Sequence, residues 1–209
     1  MNGLIIMMGK THISVGIASS LILCQPKTKA EFISAIIGGA VGGVMSDIDV
    51  KIDRSNKFAE KASKDALYGE IIAAVIAAFA LIADALSGFN VINRIASNWI
   101  PAVVGGVVFV VLTVLGEIST HRDRTHSILA LILFTLSVAF IDTEIGIAFF
   151  FGYLSHLLID LLNKSPERLF YPFKKGVCFK VCYADRLGND LLFAFGAGVT
   201  ALYTIMLIA

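Results

Sequence analysis

The chain has 209 residues, of which 57% are hydrophobic and only 16% charged, with a mean hydropathy of +0.83. A soluble domain carries about 25% charged residues, so this composition excludes one and calls for a membrane. The formal charge of +1 gives no reason to expect a nucleic-acid partner. The three cysteines, Cys24, Cys178 and Cys182, are odd in number and unevenly spaced, which predicts no disulfide framework and suits a reducing setting.

The apolar run from Met1 to Met8 lacks the features of a signal peptide. Its first cation, Lys10, follows the apolar residues, and no small-x-small cleavage site closes the next run, Ile13 to Cys24. It is read as part of the mature protein.

Segments able to cross about 30 Å of hydrocarbon at 1.5 Å per residue lie between the charged residues. Seven apolar helices are expected: Thr11 to Cys24, Glu31 to Ser46, Ala66 to Leu86, Ile100 to Ile118, His126 to Ile141, Glu144 to Leu162 and Asp190 to Ala209. The first, second and fifth are short, which predicts tilt, local thinning or ends buried in protein. The fold class is therefore all-α, a polytopic membrane bundle of about seven helices. With no repeat or composition shift, residues 1–209 read as one membrane-embedded domain.

Lys10, the loop Lys51 to Lys64, Arg122 and Arg124, and the loop Lys164 to Arg186 all fall on one side of this topology. That side holds fourteen of the seventeen basic residues; Lys27, Lys29 and Arg94 are opposite. The positive-inside tendency makes the richer side cytoplasmic. The stretch Asn163 to Asn189, with Pro166, Pro172 and mixed aromatic and basic residues, reads as an interfacial loop over that face, placed like a lid.

Against this apolar background a few ionisable residues stand out. The four histidines, His12, His121, His126 and His156, each lie at the start or end of an expected helix, as do Asp47, Asp49 and Asp160. The topology brings all seven to the cytoplasmic face. His156 and Asp160, four apart, share one helix face and can present two ligands to a metal. His121 and His126, five apart, would splay on a continuous helix, so they belong to a loop and the helix it starts, with Asp123 or Thr125 as its N-cap. Asp47 and Asp49 follow the run Gly38-Gly39-Ala40-Val41-Gly42-Gly43, whose small residues let helices approach closely.

A lone His near a helix end is more often an interfacial residue than a ligand, and a lone Asp there is usually a cap. Ionisable groups in membrane segments are costly to bury, however, and are functional by default. Mixed imidazole and carboxylate donors suit zinc first, with manganese or iron as alternatives. Seven donors exceed the needs of one zinc, which predicts two or more divalent cations. Glu70 and Glu117, near cytoplasmic helix ends, are secondary candidates for ligand or general base. Cys178 and Cys182 read as loop thiols, Asp84 as a helix-end charge, and Trp99 and Tyr203 as interface or packing aromatics.

The motifs Thr11-His12, Asp47-Ile48-Asp49 with Ser55, His121-Arg122-Asp123-Arg124-Thr125-His126-Ser127, Gly152-Tyr153-Leu154-Ser155-His156-Leu157-Leu158-Ile159-Asp160 and Tyr171-Pro172-Phe173 resemble those of the YdjM-like inner-membrane proteins. The likeness covers nearly the whole length. That family is described as membrane-bound metal-dependent hydrolases, and a more distant similarity to zinc-dependent phospholipase C hints at phosphoester substrates. This chain departs from the family pattern at Asp123, Asn163-Lys164, Pro166 and the placing of Ser55, none of which removes a His or Asp of the candidate site.

The resulting expectation is a hydrolase of a phosphoester or lipid-linked ester at the cytoplasmic membrane boundary, acting through a metal-activated water. Arg122 and Arg124 would hold a phosphate or, equally, act as positive-inside anchors, Glu117 would serve as base or ligand, and Ser127 and Ser55 would support by hydrogen bonds. Two rivals belong to other classes. A divalent-metal transporter would spread its ligands through the membrane depth. A structural protein would use metal only to staple helix ends.

Overall fold

A computed structural model describes residues 9–118, 124–162, 166–173, 175–179 and 186–208. Eight α-helices occur among them: α1 (Gly9–Cys24), α2 (Lys29–Gly42), α3 (Lys57–Ser87), α4 (Val91–Ser97), α5 (Trp99–Glu117), α6 (Ile128–Ile141), α7 (Thr143–Leu161) and α8 (Arg186–Ile208). A 3₁₀ turn, Met45–Asp49, follows α2. No strand is formed by the described residues; one isolated antiparallel bridge joins Glu167 to Val177. The fold is an all-α membrane bundle.

Each of the seven expected helices is present, with three differences of substance: the third begins at Lys57, nine residues before the expected Ala66, so that Lys57, Lys61 and Lys64 lie on a helix and not in a loop. The second ends at Gly42 instead of running on to Ser46, and the chain tightens into the 3₁₀ turn. Between the third and fourth lies α4, a seven-residue helix too short and polar to stand out as a span. Buried Asp84 of α3 builds it, accepting hydrogen bonds from the backbone N–H groups of Val91 at 3.0 Å and Ile92 at 2.8 Å. The carboxylate thus satisfies donors that a helix start leaves open.

Among the described residues, five segments are long and apolar enough to cross a membrane. Helices α1 and α6, with 16 and 14 residues, are shorter, as expected. Start signals are local: Thr28 caps α2, Ser127 caps α6 and Asp142 caps α7, each through a side-chain oxygen that accepts a backbone N–H. Ser127, not Asp123 or Thr125, is therefore the cap of α6. Asp123 lies outside the described residues, and the Thr125 hydroxyl is turned to another partner.

Helices α1, α2 and α7 form the centre of the bundle. Glycines on two sides of α2 allow it: a methyl group on Gly39 would collide with Ser20 and Gly16 of α1, and one on Gly42 with the backbone of Phe149 and Tyr153 in α7. Such close approach is how helices gain packing energy in lipid, where apolar burial gives little. Around this centre, α3, α5 and α8 turn large apolar side chains outward, among them Phe79, Val107 and Leu202, as lipid-facing helices do. At the end away from the candidate site, Arg94 of α4 bonds Asp142 at 2.9 and 3.1 Å, Glu144 at 2.6 Å and Ser34 at 2.8 Å. That network joins α4, α2 and the α6–α7 turn.

Candidate metal centre

The start of α1, the 3₁₀ turn after α2, the residues before α6 and the last turns of α7 meet at one end of the bundle. They bring together His12, Asp47, Asp49, His126, His156 and Asp160, each at most 3% exposed. His126 Nε2 stands 3.7 Å from Asp47 Oδ1 and 3.7 Å from Asp160 Oδ2. His156 Nε2 stands 3.6 and 3.9 Å from the same two oxygens. The other oxygen of Asp160, Oδ1, is 3.6 Å from His12 Nε2. The rings of His12 and His156 stack with centroids 3.9 Å apart.

These separations are too long for good hydrogen bonds. They are close to the ~3.4 Å between two donors bound at ~2.1 Å to one tetrahedral zinc. Neither nitrogen of His12 has a hydrogen-bond partner among the described residues, and neither does His156 Nε2. Buried polar nitrogens left in this way are costly. A cation among them would satisfy the nitrogens and offset the charge of the neighbouring carboxylates.

The backbone explains how His156 is aimed. Where α2 stops, the Asp47 N–H bonds Val44 O at 3.0 Å, leaving Gly43 O to take another partner. His156 Nδ1 lies 2.7 Å from it. A carbonyl can only accept, so Nδ1 donates to it and the ring turns its Nε2 toward the carboxylates, as a metal-ligating imidazole is commonly oriented.

His126 is held by a different device. The Thr125 hydroxyl donates to Asp49 Oδ2 at 2.6 Å, Asp49 Oδ2 lies 3.8 Å from His126 Nδ1, and the Tyr153 hydroxyl donates to Thr125 O. Burial pushes the His126 pKa below its ordinary value, while Asp47 and Asp49 pull the other way. The neutral, ligating form is thereby favoured. Asp49 thus stands behind His126, whereas Asp47 and Asp160 stand before its Nε2.

Among the described residues, three groups of donor atoms are close enough to hold a metal ion: His12, His156 and Asp160; Asp47, His126 and His156; and His126, Asp160 and Glu167. Glu167, fully buried in the loop after α7, was not singled out from the sequence. Its loop carries no helical or strand period, and the one available signal was a lone acid among aromatic residues.

His121 and Arg122 lie outside the described residues. Glu117 is exposed at the end of α5 and belongs to none of the three groups. Glu70, half-buried on α3, lies within electrostatic reach of Asp47, Glu117 and Asp49. Arg124 is exposed beside the site, its guanidinium 6.0 Å from the Tyr171 ring centroid. Ser55 is exposed, and its N–H donates to Asp53. Cys182 lies outside the described residues and Cys178 is half-buried in the loop.

Comparison with known proteins agrees with the motifs. The model of the YdjM inner membrane protein family matches residues 7–208. The chain belongs to this family. Two curated relatives from Methanothermobacter thermautotrophicus are similar over a shorter stretch. Uncharacterized protein ORF4′ is 34% identical over 61 residues, covering 29% of this chain and 26% of the relative. Uncharacterized protein ORF4 is 33% identical over 61 residues with the same coverage. The aligned stretch thus spans about a quarter of the length of these relatives. No solved structure matches the chain. The family places the chain in a membrane; the donor cluster gives it a site able to hold a metal ion.

Proposed function

We propose that this protein is a membrane hydrolase that uses bound divalent cations and water to cleave a phosphoester or a lipid-linked ester at the cytoplasmic membrane boundary. One observation carries the reading: three imidazoles and two carboxylates from four separate chain segments converge, buried, with their donor atoms 3.6–3.9 Å apart.

His126, His156, Asp47 and the Oδ2 of Asp160 would hold one cation, while His12 and the Oδ1 of Asp160 face a second. A carboxylate shared through its two oxygens is a usual bridge in two-metal sites. Charge points the same way, since the four buried acids Asp47, Asp49, Asp160 and Glu167 carry −4 when ionised and two divalent cations would balance them. The donor set favours zinc, with manganese and iron as alternatives.

Cations bound there would acidify a water and stabilise the oxygen that gains negative charge. Gly43 O, 2.7 Å from His156 Nδ1, and the Thr125 hydroxyl, 3.3 Å from His126 Nδ1, would keep two imidazoles aimed and so limit reorganisation during the reaction. The surrounding α1, α2 and α7 exclude bulk water from the ligands. Arg124, with Arg122 two residues before it, would attract an anionic phosphoryl group by charge-assisted hydrogen bonds. Glu70, within electrostatic reach of Asp47 and Asp49, or Glu117 would take up a proton from water. In the hydrolysis, water adds its oxygen to phosphorus or the acyl carbon, the bond to the leaving oxygen breaks, and that oxygen receives a proton. Fourteen of seventeen basic residues on the same side support the cytoplasmic orientation.

The test is metal analysis of detergent-purified protein, with turnover measured on a chromogenic phosphodiester and on phospholipid vesicles, for the wild type and Asp47→Asn. Bound zinc and zinc-dependent turnover in the wild type, both lost in the variant, are expected. Bound zinc without turnover on any phosphoester or ester, together with a large drop in Tm on chelation, would instead mark the centre as a staple between helix ends.

A further inference from the structure

The loop after α7 has an inverted pattern. Of its described residues, 166–173 and 175–179, only Glu167 is buried, at 0% exposure. Phe170, Phe173 and Phe179 are turned outward, with 53%, 73% and 62% exposure. A loop governed by solvation alone would put its aromatics inward and its carboxylate out. Here the carboxylate faces the cluster, with one oxygen within 4.8 Å of donor atoms on His126 and Asp160. Outward aromatic rings suit a loop that meets lipid headgroups.

The backbone holds Glu167 in this attitude. Its N–H donates to Val177 O at 3.0 Å, and the Val177 N–H returns a bond to Glu167 O at 2.8 Å. The loop is then fixed to the bundle at two further points: the Ile128 N–H donates to Leu169 O at 3.0 Å, at the start of α6, and the Phe179 N–H donates to Leu161 O at 2.8 Å, at the end of α7. A small bridged turn therefore carries one carboxylate into a site whose other donors come from the helices and from the segment before α6.

We propose that Glu167 is a cation ligand supplied by this loop, so that cation binding and closure of the loop over the centre are one coupled equilibrium. This rests on the metal-centre reading above and adds a residue that the sequence motifs do not contain. Coupling runs both ways: the cation stabilises the closed loop, and the loop raises the affinity for the cation. The outward phenylalanines then link site occupancy to how the loop sits in the membrane interface.

The experiment uses the full chain in detergent or nanodiscs, with Zn²⁺ affinity read by competition against a chromophoric chelator and loop protection read by hydrogen exchange over 166–179. In the wild type, Zn²⁺ should slow exchange in that segment. Glu167→Gln keeps size and shape and loses the anionic oxygen, so its Zn²⁺ affinity should fall at least about tenfold and loop protection should vanish, while protection of α1, α2 and α7 on binding persists. Val177→Pro keeps the carboxylate but removes the N–H that holds the turn, and should lower affinity in the same direction. Unchanged affinity and unchanged loop protection in Glu167→Gln would overturn the proposal, leaving Glu167 a buried structural acid. A wild type that takes up no Zn²⁺ would overturn the metal-centre reading itself, which is a distinguishable result.

Discussion

The imidazoles of His12 and His156 lie face to face, ring centroids 3.9 Å apart and planes within 18°, although one begins the first helix and the other nears the end of the seventh. The stack brings two imidazoles from distant points of the sequence to one site. It also separates two roles, since His156 faces Asp47 and Asp160 Oδ2 while His12 faces Asp160 Oδ1.

That separation predicts unequal losses of metal. His12→Ala removes a donor from the second position only, so the purified variant should keep about one cation per chain where the wild type holds about two. His156→Ala removes the donor shared by two of the candidate groups and should leave less than one. Metal-to-protein ratios by elemental analysis decide this, and equal losses in the two variants would argue for a single shared cation.

A second prediction concerns Thr125, whose hydroxyl donates to buried Asp49 at 2.6 Å. Thr125→Val keeps the shape and deletes a hydrogen bond to a charged group, worth about 1.5–3 kcal/mol. The same change removes the hydroxyl that lies 3.3 Å from His126 Nδ1, so the ring would be held less firmly. Zn²⁺ affinity should fall about 10- to 100-fold, with helix content unchanged by circular dichroism. Wild-type affinity in the variant would remove Asp49 and Thr125 from the support of the site.

The contrast between His156 and Thr125 shows what could be read from the chain alone. In an apolar sequence the few ionisable residues are conspicuous, and alternating spans assign them a side, so the meeting of His12, Asp47, His126, His156 and Asp160 was legible. The fixing of those ligands was not. It depends on a helix ending four residues early, which leaves Gly43 O for His156, and on a threonine that reads as a cap but bonds Asp49 while Ser127 takes the capping role. Helix α4 was missed because its stability comes from distant groups, Asp84 and the Arg94 network, and not from a periodicity of its own. Glu167 depends on loop geometry, for which the sequence has no period at all.

A third prediction tests the packing that creates the site. Gly39 of α2 lies against Gly16, Ile17 and Ser20 of α1, with no space for a methyl group, whereas Gly106 of α5 has nothing within 4 Å of where a Cβ would stand. Gly39→Ala must push α1 from α2 and should cost about 1–3 kcal/mol, seen as a lower Tm in detergent together with weaker Zn²⁺ binding. Gly106→Ala should leave both unchanged or raise stability slightly. Equal behaviour of the two variants would show that the α1–α2 contact does not set the ligand geometry.

The far end of the bundle supplies a control. Arg94→Gln removes the bonds that satisfy Asp142, whose side chain is 5% exposed, and should lower stability by about 1–3 kcal/mol. Because this network lies at the opposite end from the donor cluster, Zn²⁺ stoichiometry should remain that of the wild type at temperatures where the variant is folded. Loss of metal without loss of helix content would mean that the two ends are coupled through α7.

Orientation in the membrane is open to a direct measurement. The positive-inside tendency predicts that the loop 50–56 and the donor cluster face the cytoplasm and α4 the opposite side. In a background with Cys24, Cys178 and Cys182 replaced by Ser, a cysteine can be placed at either of two exposed positions, Ser55→Cys or Ser97→Cys. A membrane-impermeant maleimide applied to spheroplasts should label Ser97→Cys, and should label Ser55→Cys only after the membrane is permeabilised. The reverse pattern would place the donor cluster outside the cytoplasm, where the supply of free metal and of substrate is different, and would end the case for a cytoplasmic ester as its target.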